Sequence, residues 1–498
     1  MPSFFCRDIP TRLVVVFTIE ISDFFVLGGI DTEQRLNLFG RRQIFTNQAV
    51  IDESNILEVL QDAINVHALN QSDITYLYEY YKGNQPILSR TKTIRDDILS
   101  HVVMNRANEI VTFKVGYLVG KPIQYIGRGE AANDQEISLL NDYLYRENKI
   151  AKDRELAEWF TVCGVAYRIV LPRGGQDRIP FQIDTLDPRN AFVVRYSGLG
   201  KKVLLGVYIV PEENGALRYC CYTDRLYIEV LDGVIVRAER HMLERVPIYE
   251  YPANMARLGA FEIVLSLLDT INDVETNRAE GVAQFIQSLL VMKGVDIDDD
   301  NYAKLLKQGG ILCPADGDVK YITQELNQTQ TQALVDDLYD GILTICGMPN
   351  RNGGSSTSDT GSAVIFRDGW QSAEAQAQTT EDYFRASEIE ALDLMLYLMR
   401  LRGKGSLEVE DVDIRFTRRF YDNVATKTNV LISMLKENKI APKVAYETCG
   451  LFYNPQLAYE QGMAYYEETL KAEQQGLLDA VNDDTDSNAA LEAEEGVA

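Results

Sequence analysis

Residues 261–285 read FEIVLSLLDTINDVETNRAEGVAQF, and residues 331–346 read TQALVDDLYDGILTIC. In the first stretch Val264, Leu267, Leu268, Ile271, Val274, Val282 and Phe285 recur at helical spacing as a narrow apolar stripe. Asp269, Asp273, Glu275 and Glu280 lie largely off that stripe. In the second, Leu334, Val335, Leu338, Ile342 and Ile345 face one way, while Asp336, Asp337 and Asp340 mostly face another. Between them, residues 287–295 and 320–323 read as short strands, with turns at Gly309-Gly310 and at residues 314–317. Two helices therefore bracket a small β-containing module. The first, of about 24 residues, extends about 36 Å. The second runs directly into GMPNRNGGSSTSDTGS at 347–362, a polar, glycine-rich and by composition mobile loop. Hairpins of this kind can pack sideways against their own copies and, repeated about a closed axis, wall a channel. Acidic faces turned inward would let a polyanion pass without sticking. The same stripe serves equally to line the core of a single chain.

Outward from this region the pattern is mixed. Ile56, Leu57, Leu60, Ile64, Tyr76, Leu77 and Tyr80 mark a helix over 56–81. A second helix is expected from about Ile94 to Val119, with Ile98, Val102, Val103, Ala107, Ile110 and Val111 on one side. Short helices follow at 136–148 and 153–160. From about Thr161 to Tyr251 the runs become branched and aromatic, and Asn214-Gly215 and Asp232-Gly233 supply hairpin turns, so an antiparallel meander is expected. A long helical tract spans about 363–401, with a strand at 412–417 and a helical region at 425–468. Residues 461–498 hold ten acids against one base, and their end reads as a disordered tail.

The chain has 498 residues, enough for about three structural units. With 49 Lys and Arg against 74 Asp and Glu, its net charge is −25. That balance argues against a free-standing protein that wraps nucleic acid by neutralising phosphates. Seven cysteines without regular spacing suggest a reducing compartment and no disulfide framework. No apolar run reaches the roughly 18 residues that a membrane span requires. Residues 1–54 read as a buried or disordered extension rather than a signal sequence, and because recognisable periodicity begins only near Asn55, a real start downstream of the written one is compatible with the pattern.

Catalytic chemistry is hard to find. His67, His101 and His241 are isolated from one another and from cysteine pairs, so a histidine-rich metal site is not expected. Cys220 and Cys221, adjacent on a strand, should point to opposite faces, one buried and one outward. GYLVGKP at 116–122 superficially resembles a phosphate loop, but its glycines are four apart and proline replaces the hydroxyl residue. It reads as a helix stop. Asp296, Asp298, Asp299 and Asp300 lack the glycine and terminal glutamate of a calcium loop and read as a solvated turn. No cofactor and no catalytic residue is expected.

A resemblance adds to this reading. LYEYYKGNQPIL at 77–88, residues 105–110, GYLVGKPI at 116–123, IDTLDPRNA at 183–191, VPIYEYP at 246–252 and the polar loop around Asp359–Gly361 occur in one order over 55–465. In that order they resemble the portal proteins of tailed bacteriophages, in the branch typical of long-tailed phages of Gram-positive hosts. The resemblance implies an α+β portal-type fold: an α/β wing (55–260 and 363–423), stem helices at 261–284 and 331–347, and a small β-containing clip (285–330). It further implies a tunnel loop (348–362), a helical crown (424–466) and an acidic tail (467–498). It implies a non-enzymatic ring, dodecameric in that family, at one capsid vertex of the virion, assembled in the host cytoplasm. Double-stranded DNA would pass through it. The terminase large subunit, head-completion or adaptor proteins, and the major capsid and scaffolding proteins would be its partners, and no membrane is involved.

Within this frame Asn350, Arg351, Asn352, Gly353, Gly354 and Ser355 are the expected DNA-contacting loop residues. Leu267, Leu268, Ile271, Leu334, Leu338 and Ile342 are the expected inter-subunit packing residues of the stem. Two departures stand out: the first fifty or so residues have no counterpart, and Ala253-Asn254 stands where the family often has Asn-Asn. The alternatives are a metal-dependent hydrolase or nuclease using carboxylates such as Asp296–Asp300, or another ring-forming head–tail connector.

Overall fold

A computed structural model describes residues 40–92, 98–128, 134–174, 179–286, 289–293, 318–322, 328–350, 369–418, 424–437, 439–449, 451–452, 455 and 458–475. The chain divides into two compact units, Met1–Phe416 and Thr417–Ala498. The first unit begins with β1 (Ile44–Thr46), α1 (Ile56–Lys82), α2 (Arg106–Leu118), β2 (Gln124–Gly127), α3 (Asp134–Arg146) and α4 (Lys149–Cys163). Eight strands follow: β3 (Val165–Pro172), β4 (Phe181–Leu186), β5 (Ala191–Tyr196), β6 (Val203–Pro211), β7 (Leu217–Tyr222), β8 (Leu226–Leu231), β9 (Val234–Arg240) and β10 (Ile248–Pro252). The unit closes with α5 (Leu265–Ile286), β11 (Leu289–Lys293), β12 (Asp318–Ile322), α6 (Gln328–Ile345), α7 (Trp370–Leu401) and β13 (Val412–Arg415). The second unit contains α8 (Val424–Lys436), α9 (Pro442–Thr448) and a helix, α10, over 458–475. Leu431, Ala445 and Cys449 form its small core. Helix α10 continues nine residues past the expected crown boundary at 466. The fold is α+β.

The expected meander is present, in a six-stranded sheet of order β1-β5-β6-β7-β8-β9. The β8–β9 hairpin turns on Asp232 and Gly233, at φ 51° and 75°, as a two-residue primed turn requires. One strand was not foreseen. β1 comes from the N-terminal extension and pairs with β5 in parallel, so residues 40–54 are part of the fold. Helix α1 covers one face of this sheet through Ile56, Val59, Leu60 and Ala63, which meet Phe192, Val207, Cys221 and Ile228. The other face carries Tyr208, Tyr222 and Tyr227. Because both faces are covered, Cys220 and Cys221 are both buried, which corrects the expectation of one outward cysteine.

A second sheet, β10-β3-β4, packs against α4 and α7. At its centre lies a fully buried ionic cluster. Arg168 reaches Glu388 at 2.6 Å and Asp153 at 2.5 Å, and Lys149 reaches Asp153 at 2.7 Å and Glu388 at 3.0 Å. The hydroxyls of Tyr125 and Tyr251 donate to Glu388 at 2.8 and 2.7 Å. Two cations thus face two anions, which is what makes charge burial tolerable, although the Arg168 Nε is left without a hydrogen-bond partner.

The histidines have structural partners: His67 Nε2 lies 2.9 Å from the Arg189 carbonyl, and its ring packs on Phe192 at 4.6 Å. Burial lowers the His67 pKa. The GYLVGKP segment is the helix stop anticipated, with the Val119 N–H closing on the Val115 carbonyl. Among the described residues no helix is long and apolar enough to cross a membrane, and no cluster of potential metal ligands occurs.

Candidate functional site: the helix pair and its supports

Helices α5 and α6 run antiparallel. Cys346 at the end of α6 lies against the Ala260 carbonyl just before α5, while Arg278 late in α5 donates to Gln332 early in α6 at 2.8 Å. Strands β11 and β12 continue the pair as an antiparallel hairpin, in register Leu289↔Ile322 through Lys293↔Asp318.

The expected second helix does not start at Ile94. It starts at Arg106, where Asn105 caps it by accepting from the Asn108 N–H at 3.2 Å. The preceding chain instead lies along α5. The N–H groups of Met104, Val102 and Ser100 donate to Asn272, Thr276 and Glu280 at 2.8, 3.1 and 3.2 Å. Alternate residues of this strap meet every fourth residue of the helix, so an extended chain and one helix face run side by side. Lys92 pairs with Glu280 at the far end. Asn272, Thr276 and Glu280 are therefore buried rather than solvated. Replacing Thr276 by Val should speed hydrogen exchange at the Val102 amide by roughly tenfold to a hundredfold, leaving the α5 amides unchanged. Faster exchange throughout α5 would show instead that the substitution disrupts the helix.

Helix α2 braces α6 and α7. Glu109 accepts from the Tyr339 hydroxyl of α6 at 2.8 Å, and the Arg106 guanidinium lies 4.1 Å from the Tyr339 ring. Toward α7, Lys114 donates to Gln376 at 2.7 Å and Tyr117 to Glu374 at 2.8 Å. The N-terminal segment anchors the base of α5. Arg41 reaches the Glu262 carboxylate at 2.6 Å, with both side chains almost fully buried, and the Gly259 N–H donates to the same carboxylate at 2.8 Å. Gly40 sits at φ 73°, and a Cβ there would overlap the Ala256 carbonyl, so only glycine admits the chain to this position.

Against this geometry the expected packing residues separate. Leu268, Ile271 and Ile342 are at most 1% exposed within the single chain, sealed against α1, α2 and β3. They are core residues of this chain, which corrects their assignment to a surface between subunits. Leu267 and Leu338 are half-buried against the same core. Leu334, at 47%, is exposed, as are Ile263, Val282 and Ile345, which sequence reasoning did not single out for packing between copies. Met348 is buried, its N–H donating to the Leu343 carbonyl at 2.8 Å, and Pro349 is buried with it.

A family model described as phage portal protein, SPP1 Gp6-like, matches residues 60–476. The chain belongs to the phage portal protein family. Portal proteins are structural, non-enzymatic channel components of the phage head–tail connector, so the hydrolase alternative falls. No curated protein matches the chain. Among solved structures, the neck of a native GTA particle computed with C12 symmetry aligns with a TM-score of 0.41 and 11% identity, over 69% of this chain and 89% of that one. The neck of an empty GTA particle computed with C6 symmetry aligns with a TM-score of 0.42 and 12% identity, over 69% and 90%. In this portal chain Asn350 Nδ2 donates to Asp340 on α6 at 3.0 Å. Arg351, Asn352, Gly353, Gly354 and Ser355 lie outside the described residues, as do Asp296–Asp300 and the Asp359–Gly361 motif.

Proposed function

We propose that this chain assembles with its copies into a ring, a dodecamer as the resemblance implies, whose α5–α6 pairs wall a conduit for double-stranded DNA. The supporting observation is the antiparallel pair itself: part of it is sealed by the chain's own core, yet Val282, Leu334 and Ile345, with Ile263 just before α5, are left exposed. Isolated exposed apolar residues are ordinary, but three on one helix pair and a fourth at its base suit lateral packing against a neighbour. In this reading α5 and α6 are the stem, β11 and β12 belong to the clip that meets the terminase large subunit and then the adaptor proteins, and the second unit is the crown. Arg351, with Asn350, Asn352, Gly353, Gly354 and Ser355, approaches DNA from the loop. The major capsid and scaffolding proteins surround the ring at the virion vertex, after assembly in the host cytoplasm.

Because Met348 and Pro349 are core residues, the informative variant replaces only 351–362 by a short rigid turn. Negative-stain images should show rings as in the parent, while DNA packaged or retained per particle falls at least several-fold. Loss of rings from a normally folded chain would overturn the assignment of this loop.

A further inference from the structure

A cleft of about 340 Å³ opens where the bases of α5 and α6 meet α2 and the start of α7. Phe113, Tyr117, Ile263 and Ile345 supply apolar wall, and Lys114 and Gln376 are among its polar groups, with Thr161, Asn254, Thr379 and Thr380. The Lys114 ammonium donates to the neutral Gln376 amide at 2.7 Å, and no carboxylate lies within ion-pair distance of it among the described residues. Burial lowers its pKa, and only the Cys346 thiol opposes the shift. An ammonium drawn from water without a counter-ion is costly, and an arriving anion would recover that cost.

Two further observations indicate where the anion comes from. Ile263, just before α5, and Ile345, at the end of α6, line the cleft and are themselves exposed, so the cleft opens onto the surface at the base of the pair. The chain carries a net charge of −25, and its pair exposes Asp273 on α5 and Asp336 and Asp337 on α6. Copies brought side by side therefore oppose acid to acid unless a cation is set at the contact.

We propose that this cleft is the receptor for a carboxylate from the α5–α6 pair of the neighbouring copy, with Lys114 as its counter-charge. The proposal rests on the ring reading above. A head-to-tail contact, in which one surface of each copy meets a different surface of the next, is the kind that closes into rings. Lys114 would fix its register, since a wrong rotation leaves both charges unpaired.

The test uses rings assembled from equal amounts of isotope-labelled and unlabelled full-length chain, treated with a carbodiimide that joins amines to carboxylates in contact. Mass spectrometry should find Lys114 joined to an aspartate of 265–286 or 328–345 in peptides of mixed isotope. The K114M variant should raise the chain concentration needed for half-assembly by about tenfold or more. Rings in which Lys114 forms no inter-chain link, and labels with an amine reagent as fast as in the free chain, would overturn this proposal while leaving the ring intact. Saturation of Lys114 in the free chain by benzoate, with no inter-chain link in rings, would assign the cleft to free organic carboxylates and overturn it equally. A chain that never assembles removes the ring reading, and this one with it.

Discussion

Replacing Glu388 by Gln is expected to lower the unfolding free energy by about 3–5 kcal/mol, because it leaves Arg168 and Lys149 buried with one carboxylate between them. Asp153 cannot serve both cations as well as the pair does: it already accepts from Arg168 at 2.5 Å and from Lys149 at 2.7 Å. Urea denaturation of both chains measures the difference. The pH dependence gives an independent reading. Burial by itself would raise the Glu388 pKa, but Lys149 and Arg168, with the Tyr251 and Tyr125 hydroxyls, outweigh it and hold the group at about 2, against an ordinary 4.5. A carboxyl whose folded pKa is depressed contributes stability that is present above 4.5 and lost as pH falls toward 2. The gap between parent and E388Q should therefore narrow across that window. A gap below about 1 kcal/mol at neutral pH would show that the cluster relaxes or admits water.

The second large effect is expected at Arg41. Its replacement by Met keeps an apolar stem beside Cys163 but strands the Glu262 carboxylate, whose remaining donor is the Gly259 N–H. The loss should reach about 3–5 kcal/mol at neutral pH. Here the carboxyl's own contribution has the opposite sign, although the gap again narrows toward acid. Burial raises the Glu262 pKa and Arg41 opposes it, so in R41M the shift upward is larger. A group with a raised folded pKa withdraws stability as pH climbs above its unfolded value, so R41M should be closer to the parent at pH near 5 than at pH near 8. Adding E262Q to R41M should recover part of the loss. A cost independent of pH, with no recovery from E262Q, would assign the effect to packing of the N-terminal segment instead.

Both effects involve residues that pattern reading passed over, and the reason is distance along the chain. Arg41 lies 221 residues from Glu262, and β1 has only three residues, so neither carries a local period. The strap was misread for a related reason. Ile98, Val102 and Val103 are compatible with a helix, but the backbone donors of Ser100, Val102 and Met104 are taken by α5 side chains roughly 170 to 180 residues away. What was legible was what is local: α1, ended by Gly83 at φ 104°, the Asp232-Gly233 hairpin, and the two helices flanking a β module. The apolar stripe on those helices was legible, yet periodicity cannot say whose atoms cover it, and Val282, Leu334 and Ile345 are left exposed by this chain. Leu268, Ile271 and Ile342 satisfy the same period whether the covering surface is their own chain or another. Asn272, Thr276 and Glu280, three polar residues four apart, are buried beneath the strap, and of them the sequence pattern marked only Glu280, as lying off the stripe.

The strap on α5 behaves as a vernier. Four helical residues rise about 6.0 Å, whereas two extended residues advance about 6.7 Å, so the two scales slip by about 0.7 Å at every rung. The successive contact lengths of 2.8, 3.1 and 3.2 Å lengthen in that order, and the last rung is spanned by glutamate, which reaches farther than asparagine or threonine. A fourth rung would be out of step by about 2 Å, more than a hydrogen bond tolerates. The mismatch of two periods thus limits how many rungs the clasp can hold and favours the longest reach at its outer end.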